Sequence, residues 1–425
     1  MNNGKICVSI CAETADEIIA NIKRAEQFAD VIEVRFDCLR SDQIENFKFQ
    51  ISNFKFEKPL LATYRAREQG GNREISLDER RAFWKDLGDS FWVADLEEDV
   101  IGDVANYLKK IVSFHDFDGM PDDLSQIYER LVATGADIIK LAVKADDITD
   151  TIAVWNLLNR SKADGKDFIP VAMGQAGKWT RILGLAHGAC VTYAALDAGK
   201  ETADGQLTAK DLIETYRVKE LDKNTRVFGV IGDPVSGSLS PYMHNAEFAA
   251  AGINAVCMHF LVKDLDAFVR RMVKPATREV ELNFCGFSVT MPHKQAIIQH
   301  LDAIDPTAAK IGAVNTIKID DGKLTGYNTD AHGFITPLKA RFGDLRDARV
   351  AIFGAGGASR ACVYALQKEG ADVTVFARDP QKVKVFADEF GIQHEHLTTD
   401  NRQLTTDDIV DATPLGMKGP LEDET

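Results

Sequence analysis

The sequence predicts an α/β protein of two or three domains, and three observations support this fold class. The chain has 425 residues, more than one ordinary domain holds. Its first half repeats one order, in which a short β-branched run is followed by a polar, helix-periodic stretch. Near its end, a glycine-rich turn separates a buried-strand run from a helix. Strands that alternate with helices predict parallel sheets.

Eight strand-like runs lie in the first half of the chain. They occupy residues 5–11, 31–37, 60–65, 91–96, 110–115, 137–143, 168–173 and 189–196. Amphipathic stretches lie between them, for example at 14–28, 124–134 and 149–162. Eight such units in about 210 residues predict a closed (β/α)8 barrel, and an open doubly wound sheet is the alternative.

A barrel of this kind places its active site at the carboxyl ends of its strands. The polar residues at those ends are Glu33, Arg35, Asp37, Arg65, His115 and Lys140, with Arg181 following the seventh strand. Each of them alone has an ordinary structural explanation, such as a satisfied core histidine or a lysine that reaches solvent. Together they predict a catalytic site.

The chemistry of this set follows from three residue types. Lys140 lies in an apolar strand, which predicts a poorly hydrated amine able to form a Schiff base with a ketone or aldehyde. His115 can move protons near neutral pH. Arginines can clamp a carboxylate bidentately. The residues therefore predict a Schiff-base lyase or aldolase that acts on a carboxylated keto compound.

Six segments of this region resemble the type I 3-dehydroquinate dehydratases, in that family's order and over roughly residues 5–216. The segments are 32–37, 63–65, 113–117, 137–140, Met173 and Gly174 with Arg181, and 204–206. The resemblance implies an imine at Lys140, a general base and acid at His115, and a Glu33 that orients His115. It implies substrate contacts at Ser9, Glu33, Arg35, Arg65, Arg181, Thr202 and Gln206.

Two positions depart from the pattern of this family. Gln69 stands where a glutamate usually precedes the Gly-Gly pair, which removes a charge. Thr202 stands where a serine is usual, and it keeps the hydroxyl.

The middle of the chain restarts the strand pattern at residues 226–231 and continues through a Gly/Pro/Ser loop to a helix at 241–251. Polar residues then follow apolar runs in segments 286–294, 312–316 and 326–330, where an open α/β sheet binds its substrate. Lys294 and Asp330 are either a surface ion pair or an acid/base pair that faces a hydroxyl-bearing substrate.

The end of the chain predicts a Rossmann-type nucleotide site. After a strand at 349–353, a turn precedes a helix at 360–369; the turn is Gly354, Ala355, Gly356, Gly357 and Ala358. Ser359 replaces the third glycine of the usual fingerprint. The next strand ends at Arg378, which together with Lys382 suits a 2′-phosphate and favours NADP(H) over NAD, although Asp379 lies beside the same site.

Residues 226–417 resemble the shikimate dehydrogenases. The matching segments are 238–241, 289–294, 313–316, 328–330, 354–360 and 411–417. The resemblance implies that Lys294 and Asp330 handle the proton while NADPH delivers hydride. Ser238, Ser240, Thr290 and Asn315 would hold the substrate, and the two serines favour shikimate over quinate. The family continues past the 411–417 segment, so we expect the dehydrogenase half to be incomplete at its C-terminal end.

Composition excludes several classes of function. A net charge of −15 and a pI near 5.1 argue against nucleic acid and anionic membranes as partners. No apolar run approaches the ~20 residues of a spanning helix. The seven cysteines form no metal-site spacing, so we expect no metal, reduced thiols and a cytoplasmic protein.

The sequence therefore predicts three domains, a barrel at 1–218, a substrate domain at 226–332 and an NADP-binding Rossmann domain at 333–425. The two resemblances imply dehydration of 3-dehydroquinate followed by reduction to shikimate, two steps of aromatic amino acid biosynthesis on small carboxylated cyclic substrates. Three alternatives stay open: an aldolase-like barrel, a quinate dehydrogenase in the second half, and a non-catalytic sensor of metabolites.

Overall fold

The computed structural model describes residues 2–396 and 408–413. It divides the chain into two compact units. The first comprises residues 1–228, 239–272 and 276–283, and the second comprises residues 229–238, 273–275 and 284–425. The three domain ranges expected from the sequence stay predictions.

Eight parallel strands build the barrel of the first unit. They are β1 (Lys5–Ile10), β2 (Val31–Arg35), β3 (Leu60–Thr63), β4 (Val93–Leu96), β5 (Lys109–Asp116), β6 (Ile138–Lys144), β7 (Asp167–Met173) and β8 (Val191–Ala195). Their order is β7-β6-β5-β4-β3-β2-β1-β8, and the short β9 (Leu207–Thr208) follows β8. The Cys190 N–H donates to the Phe168 carbonyl at 3.2 Å, which brings the start of β8 to β7. The closed barrel is confirmed, and the open doubly wound alternative is wrong.

Six α-helices accompany these strands: α1 (Ala15–Ala25), α2 (Ser41–Ile51), α3 (Leu77–Lys85), α4 (Leu124–Ala133), α5 (Thr151–Ala163) and α6 (Lys178–Leu183). Helix α1 shows why they form where they do. The Thr14 side chain accepts from the Glu17 N–H and caps the helix, and Ile18, Ile19 and Ile22 form its buried face.

Strand alternation arranges the barrel interior in layers, because every second side chain of a strand points to the same face. One layer is apolar: Cys7, Val31, Leu61, Val93, Ile111, Ile138 and Val191 belong to a single buried cluster. We call it the lower apolar layer. Two residues further along the same seven strands stand Ser9, Glu33, Thr63, Asp95, Ser113, Lys140 and Tyr193, which we call the polar layer. The polar layer lies on the carboxyl side, where the sequence places the active site.

The rest of the first unit is a smaller α/β segment. After β10 (Arg226–Gly232), it contains α7 (Ser240–Ala250), β11 (Ala255–Leu261) and α8 (Leu265–Phe268). The Asn245 side chain donates to the Cys257 carbonyl and accepts from the Cys257 N–H, so a buried amide fixes α7 against β11.

The second unit contains two sheets. In the first, β12 (Phe284–Val289), β13 (Ala303–Ile304), β14 (Thr316–Asp320) and β15 (Lys323–Tyr327) follow the end of β10 in the order β10-β12-β14-β15-β13, with helices α9 (Pro306–Ile311) and α10 (Asp330–Phe342). The second contains β16 (Arg349–Phe353), α11 (Gly357–Lys368), β17 (Asp372–Ala377), α12 (Pro380–Phe390), β18 (Gln393–His396) and β19 (Asp408–Asp411).

This second sheet has the parallel order β18-β17-β16-β19. In chain order that is 3-2-1-4, the arrangement of a Rossmann sheet, so the predicted nucleotide-binding fold is confirmed. Residues 414–417 of the last matching segment, and the chain end on which we expect incompleteness, lie outside the described residues.

The cysteines correct one expectation. We expect seven reduced thiols, but the structure joins Cys11 and Cys38 in a disulfide, with Cα atoms 5.4 Å apart. Strands β1 and β2 are neighbours, and both cysteines lie just past their carboxyl ends, so the barrel places them side by side. A separation of 27 residues in sequence gives no sign of this contact.

Candidate active sites

The first candidate site is a pocket at the carboxyl ends of the barrel strands. All nine dehydratase candidates line it: Ser9, Glu33, Arg35, Arg65, His115, Lys140, Arg181, Thr202 and Gln206. Gln69, Gly70, Phe117 and Tyr193 line it as well. The structure thus brings together residues that span nearly two hundred positions of sequence.

Lys140 is held by two contacts inside this pocket. Its Nζ lies 2.7 Å from Oδ2 of Asp95 and 4.0 Å from the centre of the Tyr193 ring. The Lys140 side chain is 8% exposed and that of Asp95 is fully buried. Sequence reasoning missed both Asp95 and Tyr193. Asp95 could have been found, because it stands two positions after Val93 in an apolar strand and therefore faces the same side.

Asp95 is the charge that organises the polar layer. Its Oδ1 lies 2.7 Å from Nη2 of Arg65 and accepts from Ser113 at 2.6 Å. Burial by itself would raise the pKa of Asp95, but the positive charges of Arg65 and Lys140 lower it far below its usual range. Asp95 is therefore ionised at neutral pH, and it faces Lys140 directly.

His115 is a neutral base. Burial, together with the positive charges of Arg65 and Lys140, lowers the pKa of His115 well below its ordinary value. Its Nδ1 is buried without a hydrogen-bond partner among the described residues. The Gln69 side chain accepts from the backbone N–H of His115 at 2.9 Å, so the residue that departs from the family pattern still holds the strand that carries the base.

Glu33 does not make the contact that the resemblance implies. One of its oxygens accepts from Ser9 and the other from Thr63, at 2.7 Å for Thr63. These hydroxyls lie on the two neighbouring strands, Ser9 in register with Glu33 on β1 and Thr63 in register with Arg35 on β3, and together they satisfy the carboxylate. Among the described residues it makes no hydrogen bond to His115 and instead bridges β1, β2 and β3, so the orienting role stays a prediction.

The three arginines are not equivalent. Arg35 donates to both oxygens of Asp37, at 2.9 and 2.7 Å, and Arg65 is paired with Asp95 and Glu97. Arg181 is 3% exposed, and its Nε and Nη2 have no partner among the described residues. Burial lowers the pKa of Arg181 to about 10, with Asp204 opposing, so it is still a cation at neutral pH. Among the described residues, Arg181 is thus the arginine of this pocket that makes no ion pair, and the substrate contacts of Arg35, Arg65 and Arg181 stay predictions.

Thr202 and Gln206 lie on the loop after β8. The Gln206 Oε1 accepts from the Thr202 N–H at 2.7 Å and from its hydroxyl at 3.3 Å. Gly205 between them has φ +72°, and a Cβ there would lie 2.2 Å from the Gly174 carbonyl oxygen. Glycine therefore lets this loop close over the end of β7 and bring both side chains to the pocket.

The second candidate site lies in the second unit. Lys294 Nζ lies 2.6 Å from Asp330 Oδ2, and Asn315 donates to the other Asp330 oxygen at 2.6 Å. The Thr290 N–H donates to the Ile231 carbonyl at the end of β10. Ser238 belongs to the same unit, whereas Ser240 is the first residue of α7 in the first unit.

The glycine turn approaches this pair. A Cβ on Gly357 would lie 2.8 Å from the Lys294 Cβ, so glycine lets the start of α11 pack on the Lys294 stem. Helix α11 begins after Gly356 without a side-chain cap, and the Ser359 hydroxyl is buried without a partner among the described residues. Unsatisfied donors at the start of a long helix suit a pyrophosphate. The turn that contains Ala355 and Ala358 therefore fits a dinucleotide.

The residues after β17 fit a 2′-phosphate. Arg378 and Lys382 are exposed there. Asp379 accepts from the N–H groups of Gln381 and Lys382 and caps α12, so its carboxylate already has partners. Capping thus already engages Oδ1 of Asp379, whereas Arg378 and Lys382 supply the positive charge that a 2′-phosphate needs.

The fold and the two sites define a two-part α/β enzyme, and comparison with known proteins identifies its family. Residues 6–223 match the type I 3-dehydroquinase family, residues 230–317 the shikimate dehydrogenase substrate binding domain, and residues 337–413 the shikimate / quinate 5-dehydrogenase family. The chain belongs to the bifunctional type I 3-dehydroquinase/shikimate dehydrogenase family.

Two bifunctional relatives resemble this chain over most of its length, and a solved dehydratase structure resembles about half of it. A chloroplastic bifunctional 3-dehydroquinate dehydratase/shikimate dehydrogenase of Arabidopsis thaliana is 33% identical over 99% of this chain and 73% of its own. The shikimate biosynthesis protein AroDE of Chlamydia pneumoniae is 27% identical over 88% of this chain and 76% of its own. Among solved structures, type I 3-dehydroquinate dehydratase from Clostridium difficile covers 52% of this chain and 93% of its own, with 25% identity and a TM-score of 0.47.

Proposed function

We propose that this chain dehydrates 3-dehydroquinate to 3-dehydroshikimate in the barrel, and reduces that product to shikimate with NADPH in the second unit. Family membership supports both reaction types. The observation that supports the substrate most directly is the unpaired, buried Arg181 in the pocket of Lys140 and His115. A buried cation without a partner is costly, and a substrate carboxylate would satisfy it.

The dehydration follows from the contacts of Lys140. Its deprotonated amine attacks the substrate ketone, and loss of one water gives a cationic imine. His115, neutral in the folded protein, removes the proton next to the imine carbon. The β-hydroxyl then leaves as water with the proton that His115 returns, and hydrolysis of the imine frees Lys140. Ionised Asp95 lies where the positive charge develops and stabilises it.

The reduction uses a more open pair. Lys294, held by Asp330, donates a proton to the carbonyl oxygen as it becomes a hydroxyl. Thr290, Asn315, Ser238 and Ser240 are proposed to bind the ring substrate. The dinucleotide would be held by the Gly354–Ala358 turn, Arg378 and Lys382, and when bound it supplies the hydride. NADP(H) is the form named for shikimate dehydrogenase of Methanothermobacter thermautotrophicus, which is 38% identical over 47% of this chain.

One assay in two stages tests both activities. With dehydroquinate alone, we expect the enone absorbance of dehydroshikimate to grow, and with NADPH added we expect NADPH to be consumed. Borohydride added with dehydroquinate should attach substrate mass to the peptide that contains Lys140. No enone, or label on another lysine, contradicts the barrel mechanism. Enone without NADPH loss contradicts the second activity, and turnover of quinate with NADP in its place favours the quinate alternative.

Among residues 2–396 and 408–413, no helix is both long and apolar enough to cross a bilayer. The Arabidopsis relative is described as chloroplastic. A cytoplasmic location therefore stays a prediction for this chain, as do the absence of nucleic-acid and membrane partners.

A further inference from the structure

A second cavity lies at the opposite end of the barrel from the active site. It has a volume of about 520 Å³, within the range of roughly 300–1,000 Å³ in which small ligands bind. Its floor is the lower apolar layer, to which seven strands contribute one side chain each. Leu185 and Gly188 contribute to its wall.

This cavity is separate from the active site, but only one layer away. Each floor residue stands two positions before a residue of the polar layer on the same strand, as Ile138 does before Lys140 and Val93 before Asp95. Within the described part of the chain, the two cavities share no lining residue. A barrel interior is ordinarily filled by side chains. The apolar walls of this cavity are open to solvent, so they can take up the apolar body of a ligand.

The rim of the cavity has a net positive charge. Lys5 and Lys109 line it together with a single carboxylate, Asp167. Lys109 is paired with Asp167 at 3.5 Å, whereas Lys5 makes no ion pair among the described residues. The Lys5 ammonium lies 4.7 Å from the centre of the Trp92 ring, and Trp92 is 47% exposed. The rim thus offers one cation without a carboxylate beside one flat aromatic face.

We propose that this cavity is a second small-molecule site, which binds an organic anion with a flat apolar body. The apolar floor takes the body, Trp92 stacks on it, and Lys5 pairs with the carboxylate or sulfonate at the rim. The site goes beyond the two catalytic activities and uses none of their residues.

The probe is 8-anilinonaphthalene-1-sulfonate, which combines aromatic rings with one anionic group and fluoresces in apolar surroundings. With the full chain, we expect saturable binding that dehydroquinate does not displace and that Arg181→Gln does not weaken. Trp92→Ala should weaken it by about tenfold and Lys5→Gln by about threefold. Lys110→Gln is the matched control, since Lys110 neighbours Lys109 in sequence but does not line the cavity.

The outcomes separate this proposal from its rivals. N-phenyl-1-naphthylamine has the same rings without the sulfonate and should bind more weakly than the sulfonate. Absence of saturable binding, as would follow if the chain's own residues fill the cavity, overturns the site. Displacement by dehydroquinate overturns it too, because the probe would then occupy the active site. Equal affinities of Lys5→Gln, Trp92→Ala and Lys110→Gln would place the probe elsewhere. Lys5→Gln, Trp92→Ala and Lys110→Gln each change a side chain that is at least partly exposed, and an unchanged unfolding midpoint of every variant, Arg181→Gln included, confirms its fold.

Discussion

Two lysines of this chain each lie beside a carboxylate, but their surroundings differ. Lys140 and Asp95 have side chains that are 8% and 0% exposed, and Arg65 and Tyr193 enclose them. Lys294 and Asp330 are 18% and 33% exposed. The difference matches the proposed chemistry. Formation of an imine needs a poorly hydrated amine and a fixed negative charge that stabilises the cationic product. Proton donation to a carbonyl needs a lysine that solvent can protonate again.

Replacing each lysine separately by glutamine is expected to give the largest effects and tests whether the two sites work independently. Lys140→Gln should lower dehydration by more than about 10³-fold, because no other amine among the described residues lines the pocket to form the imine. Lys294→Gln should lower reduction by about 10²–10⁴-fold, the usual range for a lost acid. Each variant should leave the other activity unchanged when both are assayed on one preparation. A loss of both activities from either change would mean that the two sites are not independent.

The two carboxylates, Asp95 and Asp330, are expected to contribute differently to the free energy of unfolding. Asp95→Asn leaves Arg65 and Lys140 without their shared buried partner, which should cost about 3–5 kcal/mol of the free energy of unfolding. Asp330→Asn breaks a partly exposed pair and should cost about 1 kcal/mol or less. All four tryptophans lie in the barrel, so their fluorescence in urea reports on that unit. Equal effects on the barrel transition would contradict the organising role of Asp95.

Arg181 and Arg35 test which arginine is free for the substrate. Arg181→Gln should raise the Kd for dehydroquinate by about 10- to 100-fold, as expected for a lost charged hydrogen bond, without lowering barrel stability. Arg35→Gln leaves the buried Asp37 unpaired, so we expect a clear loss of stability. Both changes are made in the Lys140→Gln variant, and dehydroquinate is titrated into it. Because that variant cannot form the imine, the titration measures affinity without turnover. A Kd that Arg181→Gln does not change would remove the main support for the carboxylate site.

The nucleotide site gives a smaller, selective effect. Arg378→Ala should raise the KM for NADPH by about tenfold and leave that for NADH nearly unchanged, because only the former has a 2′-phosphate. Asp379 already caps α12, so Asp379→Asn should not improve NADPH binding. Equal losses with both cofactors would contradict the assignment of NADP(H).

The sequence predicted the barrel, the Rossmann sheet and the dehydratase pocket because strand and helix periodicity is local and the motifs sit at strand ends. It did not predict which side chains form hydrogen bonds, ion pairs or disulfides with one another. Asp95 lies between apolar residues of β4, and its partner Lys140 is 45 positions away in sequence. Glu33 can accept from Ser9 and Thr63 only because β1, β2 and β3 are neighbours in the folded barrel. The Cys11–Cys38 bond and the cavity below the polar layer likewise depend on which strands stand side by side.

His115 provides the last and smallest test of the contrast between the dry and the open site. Because its folded-state pKa is lowered, it stays neutral as pH falls through about 6.5, where an ordinary imidazole takes up its proton. We expect kcat/KM for dehydration to change by less than about twofold between pH 8 and 6.5, with an acid limb whose midpoint lies below 6.5. The profile is read from initial enone formation in overlapping buffers. A midpoint at or above 6.5 would mean that the base is hydrated, and that Arg65 and Lys140 do not act on it as the geometry indicates.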